Sequence, residues 1–253
     1  MLSDRIRAMG APHWLALFAA ILGAWVVLYL MAVPQGLRDA GAIYGAGFWA
    51  DLCRLTPDGA GFGRMVLMWV LMSTAMMAPT ALPALATYED IASTGAHVAL
   101  WRLLAGYLAV WLGFSLLAAA AQMGLFRAGV LDPLGQSASA LFSAAVLAAA
   151  GIYQFSAVKA ACLARCRMPL TFFMQHWDEG PWRNGLRLGL VCLGCCWALM
   201  ALGFVGGMMN LAFMGLATLI MALEKLPDIG RRITAPLGFG LLAGAGAMVF
   251  NAI

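Results

Sequence analysis

From residue 13 to residue 33 the chain reads HWLALFAAILGAWVVLYLMAV, without one Asp, Glu, Lys or Arg. No other feature limits the fold as strongly. At a rise of ~1.5 Å per residue this run makes a helix about 30 Å long, the thickness of the hydrocarbon core of a bilayer. Inside lipid the backbone has no water to bond to, so a crossing segment must pair its amides within itself, as a helix does. The pattern recurs at 63–83, 98–126, 137–158, 185–206, 208–223 and 233–253, giving seven predicted helices. Composition agrees, since only 10% of residues are charged, where a soluble domain has roughly 25%. The expected fold class is all-α, a polytopic transmembrane bundle forming one domain over 1–253.

The breaks between the runs set topology. Arg5 and Arg7 precede the first run as they would in a signal peptide, but the apolar stretch is too long and no small-residue cleavage site follows, so it reads as a retained helix. Gly206 and Gly207 alone separate the fifth and sixth runs, which predicts a tight antiparallel hairpin with close approach at Gly203 and Gly207. Residues 41–55 are apolar and aromatic but too short to cross, and read as an interfacial or re-entrant segment. Residues 159–184 read as a cytoplasmic loop, and Trp14, Trp101, Trp177 and Trp182 as interfacial anchors. With seven crossings, eleven of the fifteen Lys and Arg fall on the side of the N-terminus. The other side holds only Arg38, Arg54, Arg64 and Arg127. The positive-inside rule then places the N-terminus in the cytoplasm of a multi-pass protein of the bacterial inner membrane. The net charge of +4 fits a lipid partner, and no aromatic-interleaved basic patch speaks for nucleic acid.

Sulfur is the chemistry that stands out. Cys192, Cys195 and Cys196 lie in VCLGCCWALM, with Met200 one turn beyond Cys196. Cys192, Cys196 and Met200 step by four and share a helix face, whereas Cys195 points about 100° away from Cys196. In the second run Met65, Met68, Met72 and Met76 recur at steps of three, four and four, with Met77 beside the last and Pro79 just beyond. This M-x-x-x-M step matches that of eukaryotic copper-uptake channels. Counting inward from the cytoplasmic ends, Met72 to Met76 and Cys192 to Cys196 both lie roughly 10–16 Å deep, so a joint site is expected there. Cys162 and Cys166 form a third group, four apart among Lys159, Arg165 and Arg167, where positive charge favours the thiolate that binds metal. Soft sulfur of this kind selects Cu(I), with Zn(II) as the second candidate, over hard cations. The bland alternative is that Met and Cys are ordinary packing residues of apolar helices.

The three histidines, His13, His97 and His176, lie at helix ends or in loops, so no haem is expected within the bundle. No phosphate loop and no nucleophile beside a base is present in the sequence, and no enzyme is expected. Cys53 falls in an outside loop without an evident partner, and Glu224, at the end of the sixth run, is expected to pair with Lys225 or with a basic residue of the 159–187 loop as an interfacial anchor.

The stretches MWVLMSTAMMAPTALP, YQFSAVKAACLARCRMP and GLVCLGCCWALMALGFVGGMMNLAFM through MALEKL resemble a bacterial family described as predicted metal-binding integral membrane proteins, built on a domain of unknown function. The resemblance covers about residues 60–230, with CLGCCWALM its most specific run. It implies metal-binding sulfurs at Met76, Met77, Cys162, Cys166, Cys192, Cys195, Cys196 and Met200. Residues and resemblance together predict a membrane-embedded Cu(I)-binding protein acting in metal transport or delivery. Its partners would be a metal donor or acceptor protein. The alternatives are a non-catalytic accessory or assembly subunit of a larger membrane complex, and a thiol redox protein using the vicinal cysteines.

Overall fold

The computed structural model describes residues 12–32, 56, 58–92, 99–208 and 210–252. The segment 41–55, Cys53, His97, Arg5, Arg7, Arg38 and Arg54 lie outside the described residues. Among the described residues the regular structure is helical, with a single isolated bridge between Leu131 and Ser137. Among the described residues five helices are long and apolar enough to cross a membrane, six if one sharply bent pair counts as a crossing.

Helix α1 (Pro12–Ala32) buries one stripe, Trp14, Leu17, Ile21, Ala24, Leu28 and Met31, at helical spacing. The stripe lies against α2 (Gly59–Ala92), which carries Pro79 and Pro83 in its interior. Proline has no N–H, so Pro79 leaves the Ala75 carbonyl without its helical donor. The indole of Trp25 on α1 donates to that carbonyl at 3.0 Å, which offsets the loss. At the start of α1 His13 lies 3.0 Å from Glu89 Oε1, and Trp14 Nε1 donates to Glu89 Oε2 at 2.6 Å. Trp14 is therefore a core residue at 2% exposure and not an interfacial anchor; the carboxylate of α2 draws its indole inward. Trp101 and Trp182 do face outward.

Helix α3 (Leu100–Arg127) packs on α2 through buried polar pairs, Trp69 Nε1 donating to Gln122 Oε1 at 2.8 Å and Ser73 beside Ser115 at 3.2 Å. Its other face meets α7 (Gly180–Ala201) almost backbone to backbone. A Cβ at Gly185 would overlap the Leu103 carbonyl, and one at Gly189 would sit 2.8 Å from Val110 Cβ. Small residues allow this approach, as they do in membrane helix pairs generally.

The stretch read from sequence as a fourth helix over 137–158 and a loop over 159–184 folds differently. Helix α4 (Ala140–Gln154) ends early, and α5 (Ala157–Arg167) continues at 61° to it. Ser156 is the cause: its Oγ accepts the Lys159 amide at 3.1 Å and caps a new helix. Helix α6 (Pro169–His176) opens on a proline in its first turn, and a 3-10 turn (Trp177–Glu179) leads into α7. The basic segment is thus helical and folded back along the bundle.

After α7 come the short α8 (Gly203–Gly206) and α9 (Leu211–Glu224). Gly207 turns the chain with φ 90°, a conformation only glycine adopts freely. Asn210 caps α9 by accepting the Phe213 amide at 3.1 Å. This turn brings α9 back antiparallel beside α7, with Phe213 on Gly206 and Lys225 reaching Cys192, while its other side packs on α2 and α10 (Pro227–Ala252). At 14 residues, α9 is about 21 Å long. Helix α10 runs along α4, where a Cβ at Gly151 would meet Leu242 at 2.8 Å.

Candidate metal centre

The site grows from one turn of α7. Cys192, Cys195 and Cys196 are all within 2% exposure. The 61° bend after α4 swings α5 across this turn, so that Cys166 reaches Cys195 at 4.0 Å between sulfurs. Cys195 lies 3.2 Å from Cys196 and donates to the Cys192 carbonyl at 3.1 Å. Cys192 in turn interacts with Cys166 and Cys195. Cys195, which helical periodicity sets apart from its neighbours, therefore joins the group, with both it and Cys192 facing Cys166 of α5. The five described cysteines are free thiols.

Cys162, one turn earlier on α5, stacks over Gly194; a Cβ there would lie 2.6 Å from its sulfur. Tyr153 on α4 donates to the Gly194 carbonyl at 2.6 Å and holds the same turn from the side.

Charge enters from α9. Lys225, just past its end, donates to Cys192 Sγ at 3.1 Å and to Thr80 Oγ1 on α2 at 2.6 Å. Its neighbour Glu224 turns the other way and pairs with Lys159 of α5 at 2.8 Å, both side chains at 1% exposure. Arg167 Nε also donates to the Glu224 backbone carbonyl at 2.9 Å. Glu224 and Lys159 are thus buried and paired, not interfacial charges. Their adjacency in space follows from the refolded 157–167 segment that sequence periodicity missed. A buried pair of this kind contributes little net stability when intact but is costly to break; its effect here is to fasten α5 to α9 beside the thiols.

The methionines divide. Met76, Met77 and Met200 are at 2% exposure or less and lie within the same core as the cysteines. Met77 accepts from the Tyr107 hydroxyl at 2.9 Å through its carbonyl, and that hydroxyl also interacts with Cys192. Helix α2 reaches the thiols through Thr80 and Lys225, one turn past Met76. Met72 lies eight residues before Thr80, or about 12 Å along the helix. It packs instead near Gly203, where a Cβ would be 3.9 Å from Met72 Cε and 3.0 Å from Met208 Sδ. Met72, at the far end of the expected depth band, thus lies toward Met208 within the same buried core as the thiols.

Lys225, Thr80, Tyr107 and Met208 were not singled out by sequence reasoning as site residues. A lysine ending an apolar run reads as a positive-inside anchor, and only the position of α9 against α2 shows otherwise.

Among the described residues no three His, Cys, Asp or Glu side chains are gathered into a finished ligand set. Structural zinc sites are almost always four-coordinate, so Zn(II) finds no support. Paired thiols are present, and the 4.0 Å between Cys166 and Cys195 is less than two metal–thiolate bonds of about 2.3 Å end to end. One soft ion can touch both. No curated protein and no solved structure matches the chain. A family model, PpoB2, described as a copper chaperone, matches residues 66–248 and so spans every thiol of the site. The chain belongs to the PpoB2 family of copper chaperones.

Proposed function

We propose that this protein is a non-enzymatic, multi-pass protein of the bacterial inner membrane that takes up Cu(I) on the thiols of α5 and α7 and hands it to another protein. One observation carries the reading: an ammonium group sits 3.1 Å from Cys192 Sγ beside a group of four thiols, three of them buried and Cys166 half-buried. Cu(I) bound by two thiolates carries one net negative charge, which is expensive in a dry interior unless a cation offsets it. Lys225 supplies that cation, so the loaded site is neutral as a whole. A core built only for packing has no use for a lysine among cysteines. Cys166 and Cys162 on α5 are the cytoplasmic receiving side. Two of the three thiols Cys192, Cys195 and Cys196 hold the ion as thiolates, and Met76, Met77 and Met200 surround it with further soft sulfur. Met72 and Met208 beside Gly203 continue the route away from the thiols. The positive-inside count supports the orientation.

The test is the copper content of reduced, detergent-purified protein, with Cys192→Ser/Cys196→Ser beside the wild type. The wild type should hold copper near one per chain and the variant almost none. Equal sub-stoichiometric copper in both would sink the idea.

A second reading, an accessory subunit seated against a larger membrane complex, draws on α10. A Cβ at Gly240 or Gly246 would meet open space, and Phe239 and Phe250 face outward at 65% and 82% exposure. Co-purification with a fixed partner and no thiol-dependent copper is what that reading predicts.

A further inference from the structure

A cavity of about 350 Å³ lies beside the thiols, walled by Pro79, Thr80, Cys166, Arg167, Cys192 and Lys225 among others. Its chemistry is uneven. Most of the wall is apolar, contributed by prolines and aliphatic side chains of α2, α6, α9 and α10. Two sulfurs reach it, Cys166 from α5 and Cys192 from α7. Its polar lining includes two cations. Lys225 uses two of its N–H groups on Thr80 and Cys192, and an ammonium has three. Arg167 spends Nε on the Glu224 carbonyl, while its Nη2 is buried without a hydrogen-bond partner. A buried guanidinium nitrogen without an acceptor is costly and calls for one. Exposed Arg231 adds a third positive charge close enough to Arg167 to repel it. The Glu224 carboxylate does not cancel these charges, because Lys159 already holds it on the far side.

From this we infer that the cavity receives Cu(I) as a complex with a small anionic thiol, whose carboxylate is held by Arg167 while its copper is passed to Cys166 and Cys192. The inference rests on the copper reading above and names the donor to that site. A small molecule fits where a protein loop does not, since Cys192 is 2% exposed and lies at the back of the cavity. The exchange conserves atoms and electrons. The bonds between copper and two carrier sulfurs break, bonds from copper to Cys166 and Cys192 form, and the two cysteine protons leave on the two carrier thiols. Copper stays Cu(I) throughout. A fixed positive charge at the mouth raises the local concentration of an anionic carrier and so its rate of transfer, an effect that weakens with salt.

Three carriers of similar size test this: 3-mercaptopropionate (anionic), 2-mercaptoethanol (neutral) and cysteamine (cationic), each loaded with Cu(I). Transfer to reduced protein is followed by stopped-flow absorbance of the Cu(I)–thiolate band at low salt. The wild type should accept copper from the anionic carrier on the order of ten-fold faster than from the cationic one. Arg167→Gln should reduce the anionic rate to the neutral one without changing the copper bound at equilibrium. Arg231→Gln, on an exposed residue with no structural bond to lose, should do part of the same. Rates independent of carrier charge overturn the proposal. So does an equal effect of Arg102→Gln, a surface arginine that does not line the cavity, since net charge would then suffice. Failure of the wild type to take copper from any of the three overturns the copper reading itself, and the carrier with it.

Discussion

Replacing Lys225 with methionine isolates the electrostatic part of the argument. The side chain keeps its length and its apolar stem but loses the charge 3.1 Å from Cys192 Sγ. At an effective dielectric of 20, two unit charges at that separation attract by about 5 kcal/mol. Desolvation and charge spread over several sulfurs and the ion reduce this, and breaking a buried pair typically costs about 3 to 5 kcal/mol. Taking the lower figure, at 1.4 kcal/mol per factor of ten, the affinity for Cu(I) should fall about a hundred-fold. The metal-free protein should lose about 1 to 3 kcal/mol, for the bonds that Lys225 makes to Thr80 and Cys192. Lys225→Arg, which keeps the charge, should retain most of the affinity. The assay is competition against a chromophoric Cu(I) chelator, with thermal unfolding of the metal-free protein in parallel. Affinity of Lys225→Met within a factor of three of wild type would refute the claim that this lysine balances the charge of the loaded site.

Four further outcomes are expected of the fold. Gly185→Ala places a methyl group on the Leu103 carbonyl across the α3–α7 contact and should cost about 1 to 3 kcal/mol of stability by overpacking. Gly240→Ala, with open space around it, should leave the thermal midpoint in detergent unchanged. Glu224→Gln strands the buried Lys159 ammonium and should cost about 3 to 5 kcal/mol, whereas the double variant with Lys159→Met should recover most of that; a double-mutant cycle by denaturation measures it. Trp25→Phe removes the donor to the Ala75 carbonyl that Pro79 left open and should cost about 1 to 3 kcal/mol; the same variant in a Pro79→Ala background should cost less, because the helix then supplies its own donor.

Much of the bundle could be read in the chain because the bilayer criterion acts on every residue of a run at once. Helix α1 runs through every described residue of the expected 13–33, since nothing within the run competes with the helix. The reading failed where a single polar side chain decides the path. Ser156 stops α4 and starts α5, and no periodicity across 137–158 warns of it. From that one cap follow the burial of Lys159, the arrival of Cys166 at Cys195 and the outward shift of the expected loop into helix. The sulfurs themselves were visible as a cluster within one turn of α7. Which of them meet was not, because α5 approaches from a direction that the spacing of Cys192 and Cys196 does not record. Lys225 stayed hidden for a simpler reason: at the end of an apolar helix, a lysine that neutralises thiolates and a lysine that anchors to lipid headgroups look alike in sequence.

The bend between α4 and α5 has a consequence for how tightly such a site can hold an ion. Three of its thiols ride on one continuous helix and keep their mutual spacing whatever the bundle does. The fourth, Cys166, stands on the far side of a joint held by the Ser156 cap and by the Lys159–Glu224 pair. The angle at that joint, now 61°, therefore sets whether the group counts three sulfurs or four. Grip becomes a matter of posture, and opening the elbow by a few degrees would loosen the hold without altering a single ligand.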